Sequence, residues 1–318
     1  MAKKEKDFNI KDYVQAQAKI VPAIEYKEAV WLRMPECVQD SICMPGFPLG
    51  HMSMLYGLSD SGKTGILLNA VKMAQEQGFL AVLIITENKL NKERLLKSGI
   101  DVDNLVIVED LKCLENVYDY ISGKTQEVLD GKLPLNVMIF WDTVSGCPSK
   151  DSYEIGTDGK IEKNFDNRKN ANTIGFYNNI IASRIAETRK VGVEGCVGVI
   201  LVTQAYIGEK PKFPPGLPAP IVPNGGEKIW FPLSLGIEVK EGGRLSSKYK
   251  GRYVDYGLIT KIKVKKNHLN ELNGGGDFVL AGSQIIPNDK AAIEEFKTSK
   301  KEEWGNLLEE ATQEENHE

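Results

Sequence analysis

The chain has 318 residues, with 40 Lys and Arg against 44 Asp and Glu, for a formal net charge of −4. That length holds a large core, and so mild a charge does not by itself mark a nucleic-acid binder. Five dispersed cysteines (Cys37, Cys43, Cys113, Cys147, Cys196) form no C-x-x-C pair, which argues against a zinc site or disulfide framework and for reduced thiols in a cytoplasmic protein. No apolar run reaches membrane-spanning length, and the basic start leads into no signal-like core.

Three regions are expected along the chain: an arm over 1–48, a nucleotide-binding α/β core over 49–287 and an acidic tail over 288–318. In the arm, Val14, Ala18, Ile20, Val21 and Ile24 make one apolar stripe, interrupted at Pro22. It packs either on its own domain or on a neighbour. Pro35, Pro45, Gly46, Pro48 and Gly50 predict an irregular connection. Met52 to Tyr56 reads as a strand, and Gly65 to Gln77 as a helix. Phe79–Ile85, Asn136–Trp141 and Cys196–Val202 are continuous apolar runs, as expected of strands covered on both faces. Leu105 to Val108 is a further short strand; Leu111–Leu129 and Phe176–Lys190 have helical spacing. Alternating strands and helices predict a mostly parallel sheet with crossover helices. From residue 234 the strands follow one another without helices (235–240, 256–264, 278–280), which predicts an antiparallel extension. Residues 288–318 read as helical and then frayed, with nine glutamates.

Between the first core strand and its helix stands Gly57-Leu58-Ser59-Asp60-Ser61-Gly62-Lys63-Thr64-Gly65, the G-x-x-x-x-G-K-T pattern of a phosphate-binding loop. The glycines let the backbone curl so that its N–H groups converge on a polyphosphate, and the helix N-terminus adds its dipole. Lys63 brings a point charge for the outer phosphates, and the Thr64 hydroxyl a ligand for Mg²⁺.

In parallel α/β sheets ligands gather at the carboxyl ends of the strands. Glu87, Asp142 and Gln204 all follow or end such strands. Asp142 is placed to hold Mg²⁺ beside the loop, Glu87 to orient and polarise water, and Gln204 to sense a terminal phosphate. Two long stretches leave the same edge, 145–172 and 205–226. They read as irregular loops in which basic and aromatic residues interleave, a composition suited to single-stranded nucleic acid. The candidates are Lys163, Arg168 and Lys169 in the first, and Tyr206, Lys210, Lys212 and Phe213 in the second. A third basic cluster lies between Lys240 and Lys266.

This order of features resembles the RecA-family recombinases, and among them the shorter phage UvsX-type proteins. Glu87 through Leu105, with Gly99-Ile100-Asp101-Val102-Asp103-Asn104-Leu105, resembles the segment that carries the family's catalytic glutamate and runs on to G-V-D-x-D-N-L. Val202-Thr203-Gln204 matches the family's I-N-Q switch. Gly225-Gly226 with Ile229-Trp230-Phe231 resembles the end of its second DNA-binding loop. Thr260 to His268 resembles R-V-K-V-V-K-N-K, whose lysines reach the ATP of the adjacent protomer; Lys266 matches the first, and His268 stands in place of the second. The positions that sandwich adenine appear as Asn91 and Arg94, and the family's large C-terminal domain is replaced by the acidic tail. The resemblance spans about residues 50–270. It implies a DNA-dependent ATPase using ATP and Mg²⁺, with Lys63, Glu87, Gln204 and Lys266 as catalytic groups. It implies helical filaments on single-stranded DNA, strand exchange with double-stranded DNA, and single-strand-binding or mediator proteins as partners. The alternatives are a ring helicase motor or recombination mediator on the same fold, or a nucleotide-gated binding module with little turnover.

Overall fold

A computed structural model of the protein describes residues 27–87, 92–155, 161–163, 167–211, 216, 218–249, 252–282 and 284–300. The apolar stripe expected between Val14 and Ile24 lies outside them, as does most of the acidic tail. In chain order the elements are β1 (Trp31–Arg33), α1 (Glu36–Ile42), β2 (Gly46–Pro48), β3 (Met52–Gly57), α2 (Lys63–Glu76), β4 (Leu80–Ile85), α3 (Lys92–Lys97), β5 (Leu105–Val108), α4 (Leu114–Leu129), β6 (Val137–Asp142), β7 (Tyr153–Ile155), β8 (Ile161–Lys163), α5 (Asn167–Glu187), β9 (Val197–Ile207), β10 (Ile221–Pro223), β11 (Leu235–Tyr249), β12 (Arg252–Asn267), β13 (Gly275–Ala281) and β14 (Gln284–Pro287). A last helix, α6, occupies 290–300. Among the described residues no helix is long and apolar enough to cross a membrane.

The main sheet runs in the order β14-β13-β12-β11-β3-β9-β6-β4-β5, with β10 added to the end of β9. β11, β3, β9, β6, β4 and β5 are parallel; β12, β13 and β14 are antiparallel. This is the expected α/β core with an antiparallel extension. Every residue of β3 and β6 is buried, which is why both read as unbroken apolar runs. Side-chain alternation splits the core in two. Leu55, Leu83, Phe140 and Ile200 face α2, whereas Met54, Val82, Ile139, Trp141 and Leu201 face α4 and α5. Tyr118 of α4 donates to Asn178 Oδ1 of α5 at 2.8 Å and stacks on Tyr177, fixing those two helices together.

Three features differ from the sequence reading. The proline-rich connection before β3 folds into the β1–β2 hairpin and α1, and sends Leu32, Val38, Ile42 and Phe47 into the α2-side core. The stretch 145–172 is not an irregular loop. It contains the β7–β8 hairpin, and α5 begins at Asn167, well before its first large apolar residue, Ile174, because Asn167-Arg168-Lys169-Asn170 is a polar first turn with no periodicity to read. The stretch 205–226 is likewise ordered at its base: Ala205, Tyr206 and Ile207 continue β9 and pair with Pro223, Val222 and Ile221 of β10.

The phosphate loop is set by close backbone approach. A Cβ on Gly57 would lie 2.1 Å from the carbonyl oxygen of Val239 on the neighbouring β11. Gly62 has φ 100°, in the left-handed region, and a Cβ there would meet Leu280 and Thr260 at 2.7 Å. Gly57→Ala should therefore push β3 and β11 apart, at a cost of about 2 kcal/mol or more. Chemical denaturation against the parent checks this; equal midpoints would show that the strands yield freely.

Candidate active site

Register puts the site together. β3 pairs with β9 so that Gly57 faces Gln204; β6 pairs with β9 and β4 so that Asp142 faces Val202 and Ile85. The carboxyl ends of β3, β4 and β6 thus meet Gln204 of β9 at one edge. There they line a cleft of about 710 Å³ that includes Ser59 to Gly65, Glu87, Asp142, Thr143 and Gln204. The loop, the candidate metal carboxylate, the candidate base and the candidate sensor share this one cavity.

Lys63 is buried, and its ammonium donates to the carbonyls of Gly57 at 3.0 Å and Leu58 at 2.6 Å, and to Ser61 Oγ at 3.4 Å. The cation is folded against its own loop, beside the hollow the backbone encloses. Thr64 Oγ1 donates to Asp142 Oδ2 at 2.8 Å. Asp142 is 9% exposed. Burial raises its pKa above the ordinary carboxylate value, against the Thr64 hydrogen bond, with Glu87 adding to the rise and Lys63 and Arg94 opposing it. A buried carboxylate beside a hydroxyl, at the mouth of a phosphate loop, fits a divalent cation that takes its remaining ligands from phosphate and water.

Glu87 and Gln204 are directly joined: Gln204 Nε2 donates to Glu87 Oε1 at 3.0 Å. The Glu87 side chain lies over Gly146, where a Cβ would sit 2.7 Å from its Cγ, so only glycine leaves that space. Beneath them runs a set of hydroxyls that the sequence reading missed. Thr86 Oγ1 donates to the Thr143 carbonyl at 2.6 Å and accepts from the Trp141 indole and the Thr143 amide, both at 3.1 Å. Thr143 Oγ1 donates to the Val202 carbonyl at 2.8 Å and is bonded to Ser145 Oγ, which accepts from the Gln204 amide at 3.1 Å. These residues tie the ends of β4, β6 and β9 into one unit. A run of hydroxyl residues just past buried strands was their signal in the sequence.

Lys266 stands apart. It does not line the cleft; its ammonium donates to the carbonyls of Trp230 and Phe231, and desolvation there lowers its pKa. Trp230 packs edge-on against Tyr56 at 5.1 Å, next to the phosphate loop. Of the expected DNA-binding residues, Lys169, Tyr206 and Lys210 are exposed. Lys163 and Arg168 lie on β8 and the first turn of α5, and their side chains are outside those described, as are Lys212 and Phe213 entirely. The bases of the two stretches touch: Lys228, past β10, donates to Asn172 Oδ1 of α5 at 2.8 Å. Phe176 and Phe231, exposed by 63% and 68%, add aromatic surface.

Residues 35–117 match the family model described as the RecA N-terminal domain. The chain is 30% identical over 224 residues to protein RecA of Mycoplasma genitalium, covering 70% of this chain and 58% of that protein. It is 28% identical to protein RecA of Mycoplasma pneumoniae, with the same coverage, and 26% identical over 223 residues to that of Picosynechococcus, covering 70% and 56%. The chain therefore spans a little over half the length of the curated relatives it matches.

The raised pKa of Asp142 fixes a sign. A carboxyl that holds its proton more tightly when folded costs stability as pH rises from the ordinary carboxylate range through the raised value. Asp142→Asn keeps an acceptor for Thr64 and has no charge to bury. Without nucleotide or metal, its melting temperature should match the parent's in acid and exceed it increasingly toward neutral pH. A difference that stays constant with pH would show that the carboxylate is already compensated.

Proposed function

We propose that the chain is a member of the RecA family and, on that premise, a DNA-dependent ATPase that assembles as a helical filament on single-stranded DNA and promotes homologous pairing and strand exchange. One observation carries this reading: the Gln204–Glu87 hydrogen bond joins the cleft to a strand that continues, two residues on, into exposed Tyr206. Whatever displaces the Gln204 amide is transmitted along β9 into the β9–β10 ribbon. That ribbon is held at its root by the Asn224 amide donating to the Gln204 carbonyl at 2.8 Å.

The groups divide the work. The amides of Ser59 to Gly65 receive the phosphates, and Lys63 exchanges its loop carbonyls for phosphate oxygens. Thr64 and Asp142 hold Mg²⁺, which offsets charge on the outer phosphates. Glu87 orients and accepts a proton from the attacking water. Gln204, released from Glu87, donates to the terminal phosphate instead, and the ribbon is drawn into its DNA-gripping position. Hydrolysis removes that partner and lets the amide return, so nucleotide shifts the balance between two arrangements. Lys266, away from its own chain's cleft, acts on the nucleotide of an adjacent protomer.

Negative-stain microscopy with single-stranded DNA and a non-hydrolysable ATP analogue tests the assembly. Continuous helical filaments support the proposal; closed rings would favour the ring-motor alternative. Glu87→Gln should slow DNA-stimulated hydrolysis by roughly two to four orders of magnitude while leaving nucleotide binding intact; hydrolysis at the parental rate would remove Glu87 from the chemistry. Gln204→Ala should lose the stimulation of hydrolysis by DNA. Lys210→Ala should lessen the salt dependence of DNA binding, by about one in the logarithmic slope. An unaltered slope would place the ribbon outside the DNA site.

A further inference from the structure

Thr260 sits on β12 with no accessible surface, and among the described residues its hydroxyl has no hydrogen-bond partner. Its backbone is engaged on both sides, opposite Glu241 of β11 and Phe278 of β13. Its side chain shares a face with Ile262 and Val264, two members of the α2-side core. Valine would fill that place with the same shape and no polar atom. A buried hydroxyl without a partner is costly, and one that persists calls for a reason.

The reason lies in what this hydroxyl faces. A Cβ on Gly62 would come within 2.7 Å of Thr260 Oγ1, 2.7 Å of Leu280 Cδ1 and 3.3 Å of Leu258 Cδ2. Of the three side chains that back the phosphate loop there, Thr260 alone can donate a hydrogen bond. Leu258 and Leu280 line the cleft and Thr260 does not, so its hydroxyl approaches the loop from behind. We propose that Thr260 is a positioning residue of the phosphate loop: its hydroxyl donates to the Ser61 carbonyl when the loop receives a polyphosphate. The inference rests on the nucleotide-binding reading of the loop.

Two changes on phosphate binding lead to this bond. Lys63 donates to the carbonyls of Gly57 and Leu58 and to Ser61 Oγ, and each of those bonds is given up when its ammonium moves to phosphate oxygens. The loop then loses cross-links that hold its curl. At the same time its amides turn inward to the phosphate. In a trans peptide the carbonyl points opposite to the amide. The Gly62 N–H turned toward phosphate therefore sets the Ser61 carbonyl on the far side, where β12 runs. The next carbonyl, that of Gly62, already accepts from the Ile66 amide at 3.0 Å, which anchors the turn to α2. A bond from Thr260 to Ser61 would anchor its other half to the sheet. The cost of burying the hydroxyl is thereby recovered only in the phosphate-holding arrangement, which favours that arrangement.

Isothermal titration calorimetry of the full chain with tripolyphosphate and Mg²⁺, together with melting temperatures measured without either, tests this on Thr260→Val and Thr260→Ser. Thr260→Val should melt no lower than the parent, because it removes only an unpaired polar atom, and should bind tripolyphosphate about tenfold more weakly. Thr260→Ser keeps the donor and should bind within about twofold of the parent, even where loss of the methyl group lowers its melting temperature. Parental affinity in Thr260→Val would overturn the assignment, and so would an equal loss in both variants, which would mark a packing effect. A Thr260→Val that melts below the parent or fails to fold would show the hydroxyl to be satisfied already, and would overturn it too. In each of these cases a parent that binds tripolyphosphate leaves the nucleotide site standing; a parent that does not bind it removes that site and this inference together.

Discussion

The alignment of parallel strands at their carboxyl ends is the constraint on which this molecule depends. Gly57, Asp142 and Gln204 come from strands separated by tens of residues in sequence, and in-register pairing brings them to one edge. A slip of one residue in a strand would exchange its two faces. It would send Trp141 to the α2 side and take Asp142 away from Thr64. Both faces of these strands are packed with large side chains, so that slip is strongly disfavoured, and the core thereby fixes the chemistry at its edge.

The edge itself is polar but not loose. Thr86, Thr143 and Ser145 satisfy one another and the strand-end carbonyls and amides, which lets Glu87 and Gln204 lean on a stiff base. Buried polar groups that are fully paired rigidify a site, while an unpaired one is costly. Asp142 accepts from the Thr64 hydroxyl at low exposure, and Lys63 is turned onto the carbonyls of its own loop. Both charges are arranged for a partner of opposite sign. Under the proposed function, a phosphate and a metal ion would restore stability given up at these positions.

The core was legible in the sequence because buried parallel strands and a phosphate loop leave strong local signals. Phe79–Ile85 and Asn136–Trp141 lack the polar alternation of a half-exposed strand, and the glycine spacing of the loop has few other uses. Positions that depend on partners distant in sequence were not legible. α1 is seven residues long and bounded by prolines, so its helical character comes from packing of Val38 and Ile42 rather than from periodicity. The extension of β9 through Tyr206 exists because β10 pairs with it, and Thr203-Gln204-Ala205 carries no strand signal of its own. The Glu87–Gln204 bond joins residues 117 apart, each of which looked like an isolated strand-end polar residue.

The antiparallel side of the sheet has a role beyond widening the core. β12 and β13 place Leu258 and Leu280 against the loop glycines, so the phosphate loop is backed by side chains from strands some two hundred residues downstream. The same β12 carries Lys266 near its other end, bound to the segment that follows the β9–β10 ribbon. A displacement of β12 along its length would therefore reach the loop, the cleft wall and the ribbon's exit together. Packed strands move as units rather than deforming residue by residue, and β12 runs from the wall of the nucleotide cleft to the carbonyls of Trp230 and Phe231.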